Sequence, residues 1–159
     1  MDPLLSLLKN GARTPVGDLA RELDLPEKEI VQRIEGFEKD GVILGYNAVL
    51  DPDKIGDAMV TAVIEVKIVP ERGGGFDRLA SRIARFEQVQ SCYLMSGGYD
   101  LLVIVEGANL QAVATFIAEK LSTIKGVLST ATHFRLKAYK ENGALLNRPE
   151  REERLAVAP

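Results

Sequence analysis

The spacing of apolar residues changes period once along the chain, near residue 51, and that change limits the possible folds more than any single motif. Before it, apolar residues recur at helical spacing in three short runs. Leu4, Leu5, Leu7 and Leu8 make the first run, which stops at Asn10-Gly11, a helix C-terminal signal. The second opens at Thr14-Pro15, read as a hydroxyl N-cap followed by proline at the first helical position, and carries Val16, Leu19, Ala20 and Leu23 on one face. After a tight turn at Asp24-Leu25, the third starts at Pro26, sets Ile30, Ile34 and Phe37 on one side, and ends at Asp40-Gly41. Two short helices joined by a tight turn, the second longer and amphipathic, make a helix-turn-helix pattern. Val42 to Leu50 reads as two short strands around Gly45 to Asn47, which would add a wing.

Beyond the connector Asp51-Pro52-Asp53-Lys54-Ile55-Gly56 the period becomes two. Residues 58–69 alternate as a strand with Val60, Ala62, Ile64, Val66 and Ile68 inward. A glycine loop, Glu71-Arg72-Gly73-Gly74-Gly75, precedes a helix with Phe76, Leu79, Ala80, Ile83 and Phe86 on its apolar face. Strands at 89–96 and 100–106 flank the hairpin signal Gly97-Gly98-Tyr99. A second helix carries Leu110, Val113, Ala114, Ile117, Leu121 and Ile124 up to Gly126, and a last strand spans 127–139. The order is β-α-β-β-α-β, a ferredoxin-like unit, so the fold class is α+β. The chain thus divides into a winged helix-turn-helix unit at 1–50, a linker at 51–56, a ferredoxin-like unit at 57–140 and a C-terminal tail at 141–159.

Two helices cover one face of a four-stranded sheet, and the other face is expected to be polar in a monomer. Here the outward positions include Val63, Val69, Tyr93, Met95, Leu102 or Ile104, whichever face is chosen. Such a surface predicts a homodimer built on this unit. Composition excludes other classes: 46% apolar and 27% charged residues in 159 are neither disordered nor collagen-like. Cys92 has no second cysteine to bridge and His133 is the single histidine, so no metal site or cofactor is implied. Cys92 reads as a small core residue, His133 as a structural or surface side chain. The longest aliphatic stretch, Leu101 to Val105, is far too short for a membrane span. The start MDPLLSLLKNGAR has no basic run ahead of its apolar residues, so a reducing, cytoplasmic setting is expected.

Arg13, Leu19-Ala20, Arg33-Ile34, Gly41-Val42-Ile43, Gly45-Tyr46 and above all Ser96-Gly97-Gly98-Tyr99-Asp100 follow one another in an order that resembles the Lrp/AsnC family of leucine-responsive and asparagine-sensing regulators. The resemblance covers about residues 4–140. It implies a transcription factor whose third helix enters the major groove of double-stranded DNA. It also implies a C-terminal domain that dimerises, assembles further into tetramers or octamers, and binds an amino acid or similar small metabolite between dimers.

Charge alone argues less strongly for DNA. Glu27, Glu29, Glu35, Glu38 and Asp40 outnumber Lys28, Arg33 and Lys39 in the third helix, whereas DNA affinity is mainly phosphate neutralisation. With Ile30, Ile34 and Phe37 inward, Lys28, Gln32 and Arg33 are best placed to read bases, and Arg13, Thr14 and Lys39 to touch phosphates. The alternative is a solvated helix in which Arg33 pairs with Glu29. In the hairpin turn, Gly97 and Gly98 leave N–H groups open to a carboxylate, and Asp100 suits an ammonium; Tyr99 sits between them, and Ser96, Thr130 and Thr132 offer hydroxyls. The same turn is equally explained as a hairpin in which Asp100 caps backbone. Two other functions fit the architecture: a metabolite-binding oligomer without DNA recognition, and an enzyme similar to the sirohaem decarboxylases, which rely on histidine and basic residues.

Overall fold

A computed structural model describes residues 1–56, 59–69 and 75–146. They form two compact units, Met1–Ala48 and a second that begins at Val49. The first contains helices α1 (Pro3–Asn10), α2 (Val16–Leu23) and α3 (Glu27–Lys39). Leu4, Leu8, Leu19, Ala20 and Ile30 are buried between them, with Leu7, Val16, Leu23, Leu25, Ile34, Phe37 and Ile43 packed around. α1 begins where the Asp2 carboxylate accepts the Leu4 N–H at 2.8 Å, with proline as the first helical residue. α2 starts one residue later than Thr14-Pro15 suggests. Pro15 is itself the cap, in extended backbone, and the Thr14 hydroxyl donates to the Gly11 carbonyl at 2.7 Å instead of capping the helix. Asp24 closes α2 in the left-handed region at φ 52°, a conformation open to aspartate, and this makes the turn into α3 tight.

The pair of wing strands expected between Val42 and Leu50 is absent: no strand forms there. The Val42 and Ile43 N–H groups instead donate to the Phe37 carbonyl at 2.8 and 3.0 Å, finishing α3. An isolated two-stranded hairpin is marginal in water, and this segment finds no third strand in its unit. Leu44 is left 93% exposed.

The second unit holds a single helical turn α4 (Pro52–Ile55), then β1 (Val60–Ile68), α5 (Asp77–Ile83), β2 (Val89–Leu94), β3 (Leu101–Gly107), α6 (Leu110–Phe116), β4 (Val127–Phe134), and a two-residue hairpin, β5 (Lys140–Glu141) and β6 (Ala144–Leu145). The main sheet is antiparallel in the order β2-β3-β1-β4, which is the β-α-β-β-α-β arrangement. Ala62, Ile64, Val66 and Ile68 of β1 and Leu101, Val103 and Val105 of β3 are buried on one face, against Leu79, Ile83, Val113, Phe116, Leu121 and Ile124. Each of the larger of these side chains, all but Ala62, contributes about 1.5–3 kcal/mol through burial.

Three details differ from the apolar pattern. Leu110 is exposed, because Asn109 caps α6 by accepting the Ala112 N–H at 2.8 Å and so puts Leu110 at the first helical position. Phe116 takes the core role, packing edge-on to Phe86 with ring centroids 5.4 Å apart. Past it the helix widens into a π-helical turn, Ile117–Leu121, which carries Leu121 into the core. The last strand ends at Phe134 instead of residue 139, leaving Leu136 97% exposed. The glycine loop at Glu71 to Gly74 and the tail from residue 147 lie outside the described residues.

Phe116→Ala should destabilise the second unit by about 3–5 kcal/mol, the range for emptying an aromatic core site. Urea unfolding followed by circular dichroism checks this.

Candidate nucleic-acid and effector surfaces

On α3 the buried side is Ile30 with Ile34 and Phe37 beside it, so Lys28, Gln32, Glu35 and Lys39 follow one another along an exposed line. Arg33 is not on that line. Its guanidinium reaches Asp2 Oδ2 at 2.6 Å, a half-buried ion pair joining the start of α1 to the middle of α3. Its partner is therefore Asp2 and not Glu29. Partial desolvation pushes the Asp2 carboxyl upward, but the Leu4 N–H, the Arg33 guanidinium and the Leu5 N–H together outweigh it and hold the pKa below its ordinary value of 3.8. The Tyr46 hydroxyl donates to Glu38 Oε1 at 2.8 Å, and this bond raises the tyrosine pKa while occupying one of the acidic groups of α3. Arg13 is exposed, and Thr14 is half-buried with its hydroxyl engaged.

In the second unit the Ser96 to Asp100 turn joins β2 to β3. Ser96, Gly97 and Gly98 are exposed, Tyr99 and Asp100 half-buried. Gly97 has φ +142°, a region that disfavours other residues, and open space surrounds both glycines. Asp100 has a structural task. Its backbone N–H donates to the Val66 carbonyl at 3.0 Å and its Oδ2 accepts the Ile68 N–H at 2.8 Å, so the side chain continues the β1 ladder past the end of β3. Thr130 and Thr132 stand opposite Val66 and Ile64, on the helix-covered side of the edge strand β4. β1 separates Thr130 from Leu101, two strand spacings or roughly 10 Å. The single chain thus brings the turn together as a unit and leaves the two threonines apart from it.

The face of the sheet away from the helices runs in continuous rows: Ser91, Ile104, Val63 and His133, and beside it Tyr93, Leu102, Glu65 and Ala131. Tyr93 is 51% exposed and Val69 47%. His133 Nε2 lies 3.4 Å from Glu65 Oε1, both open to solvent. Cys92 faces the other way, half-buried against the core, where desolvation raises its thiol pKa. Among the described residues no group of histidine, cysteine and carboxylate side chains is placed to hold a metal ion, and no helix is long and apolar enough to cross a membrane.

Residues 61–145 match the Lrp/AsnC ligand binding domain, more than half of the chain. The chain belongs to the Lrp/AsnC family of transcriptional regulators. It is 42% identical over 157 residues, 98% of this chain and 95% of the relative, to an uncharacterized HTH-type transcriptional regulator, YugG, of Bacillus subtilis. With the leucine-responsive regulatory protein of Haemophilus influenzae it shares 28% identity, covering 90% of this chain and 85% of that one. A transcriptional regulator from Neisseria meningitidis, solved as an L-Met complex, has the same fold with a TM-score of 0.69 at 23% identity, covering 92% and 97% of the two chains. In this Lrp/AsnC chain the matched domain takes in the whole main sheet, except the first residue of β1, and the turn at Ser96 to Asp100.

Asp2 is a partner of Arg33 that apolar spacing does not reveal, although an aspartate before a proline at a helix start is itself a capping signal. Because its folded pKa is depressed, the stability it contributes is complete above the unfolded carboxyl range and is lost as the pH falls through the folded pKa, below 3.8. Asp2→Asn should lower the melting temperature at pH 7 and flatten its fall below pH ~4, in thermal scans by circular dichroism across that range.

Proposed function

We propose that the chain acts as a homodimeric, ligand-responsive regulator that binds double-stranded DNA through α2 and α3 of its helix-turn-helix unit. The observation that carries this reading is the apolar patch on the outer face of the sheet, half-buried Ile104, Val63 and Leu102 with exposed Tyr93 from two adjacent rows, which a second copy covers when two sheets meet face to face. The stretch Val42 to Leu50, apolar and without strand partners of its own, takes on strand form as a wing only against further chain. Pairing matters because α3 is acidic: two weak reading heads on one assembly gain from effective concentration what each lacks in charge.

On DNA, Lys28 and Gln32 face the groove, where glutamine pairs with adenine; Arg13, Thr14 and Lys39 meet phosphates. Arg33 contributes by holding α3 to the start of α1 through Asp2. The effector is an amino acid, in keeping with the L-Met bound to the Neisseria regulator. Its carboxylate meets the open N–H groups at Gly97 and Gly98, beside Ser96 and Tyr99, and its ammonium the free Oδ1 of Asp100. Thr130 and Thr132 reach it only from a neighbouring copy. Binding between dimers then favours a tetramer or octamer, and the assembly sets the spacing of the reading heads. The reading assigns no catalysis, and places the chain with DNA in the cytoplasm.

Gel-shift titration of the full-length protein against the DNA upstream of its own gene should give salt-sensitive binding. Lys28→Ala should weaken it across sequences and reduce the salt slope by about one, while Gln32→Ala should cost about 1–3 kcal/mol of discrimination at one base pair. Absence of binding at low ionic strength would overturn the DNA reading and leave a metabolite-binding oligomer. Ile104→Lys, which sets a charge in the middle of the outer sheet face, should convert the dimer to a monomer by light scattering at micromolar concentration. An unchanged mass would remove the sheet face as the dimer contact.

A further inference from the structure

The helix layer of the second unit carries a basic hollow that the regulator reading does not use. A cavity of about 570 Å³ lies between α5 and the turn that leads into β4, lined by Asp77, Arg78, Leu79, Ser81, Arg82, Arg85 and Lys125. Four cations face one carboxylate there, in a chain whose net charge is −3. Arg78 and Arg82 are one helical turn apart on the exposed side of α5, and Arg85 follows in the turn that closes it, its N–H donating to the Arg82 carbonyl at 3.4 Å. Lys125 comes from a separate element. It is held close because Gly126, at φ +101°, leaves room for the Leu79 side chain, 3.3 Å from where a Cβ would stand.

The ion pairs Arg21–Asp18, Arg33–Asp2, His133–Glu65 and Arg135–Glu141 leave Arg82, Arg85 and Lys125 without a carboxylate among the described residues. Arg82, Arg85 and Lys125 gather like charge in a hollow where Asp77 is the one carboxylate of the lining, and an anion relieves that repulsion. Arg82 and Arg85 present planar forks that match phosphoryl oxygens, and the arginine stems with Leu79 give the hollow apolar walls. Its volume falls in the range of small-molecule sites, whereas four cations in one hollow make too short a track for a duplex whose phosphates repeat along its length.

We infer that this hollow binds a small soluble anion carrying two or more phosphoryl groups, as a second input separate from the amino-acid turn. Neither Ser96 to Asp100 nor the outer sheet face contributes to it.

Isothermal titration of the full-length protein with inorganic tripolyphosphate, with ATP, and with sulfate at matched ionic strength tests this. Saturable binding of one tripolyphosphate or ATP per chain is expected, weakened at least tenfold by Arg82→Gln with Arg85→Gln and again by Lys125→Gln. These are exposed positions whose like charges repel, so the melting temperature of the unliganded variants should not fall below the wild-type value. Tighter ATP binding identifies a nucleotide, and equal affinities a bare polyphosphate; both uphold the site. Heats no larger than those of sulfate, or an affinity unchanged in the double variant, would overturn it. So would a variant that loses affinity for duplex DNA while keeping that for tripolyphosphate. Amino-acid binding by the same variants should be unaffected, which separates failure of this site from failure of the effector reading.

Discussion

Everything in the second unit follows from one-sided coverage of its sheet. Seven side chains of β1 and β3 are buried beneath two helices, and that layer alone supplies the core. Through the regular stretches of β1 and β3 the side chains alternate, so a residue buried on the helix side sends its neighbour to the other. Val63, Leu102 and Ile104 are outward because Ile64, Leu101 and Val103 are inward. A chain that spends apolar residues on that outer face gains nothing from them alone, and the surface makes sense as one half of a contact.

The first unit depends on a different economy. Three short helices enclose five buried side chains, a small core for a unit of this length. Asp2 adds to it twice, as the cap of α1 and as the partner of Arg33. The arrangement takes a guanidinium out of circulation on the helix best placed to meet nucleic acid. The basic groups left on the exposed line of α3 are Lys28 and Lys39, with Glu35 between them.

Much of this was legible in the amino-acid order because burial against a single layer imposes a period. The three helices, the β-α-β-β-α-β succession and the inner face of β1 all follow from it. Features set by contacts distant in sequence were not legible. Arg33 meets Asp2 across 31 positions and Asp100 meets Ile68 across 32, and neither spacing carries a periodic signal. Phe116 sits three residues after Val113 and just ahead of the π-helical turn, next to Ile117, which fits the same apolar stripe, so spacing alone does not choose between the two. The wing was expected from β-propensity alone, which says that a segment suits a strand without saying which strand it will join. At the candidate effector turn the glycines and Asp100 stood out. The sheet register that puts β1 between the turn and Thr130 did not.

The hydrogen bond from the Ile68 N–H to Asp100 differs in kind from the rungs below it. Main-chain rungs answer only to the strands they join, but this one ends on a carboxylate that also belongs to a solvent-facing loop. Any cationic guest that draws on that oxygen competes with the terminal fastening of the middle strand. A charge set against that carboxylate at the rim would be felt at the centre of the sheet, along a lever one side chain long.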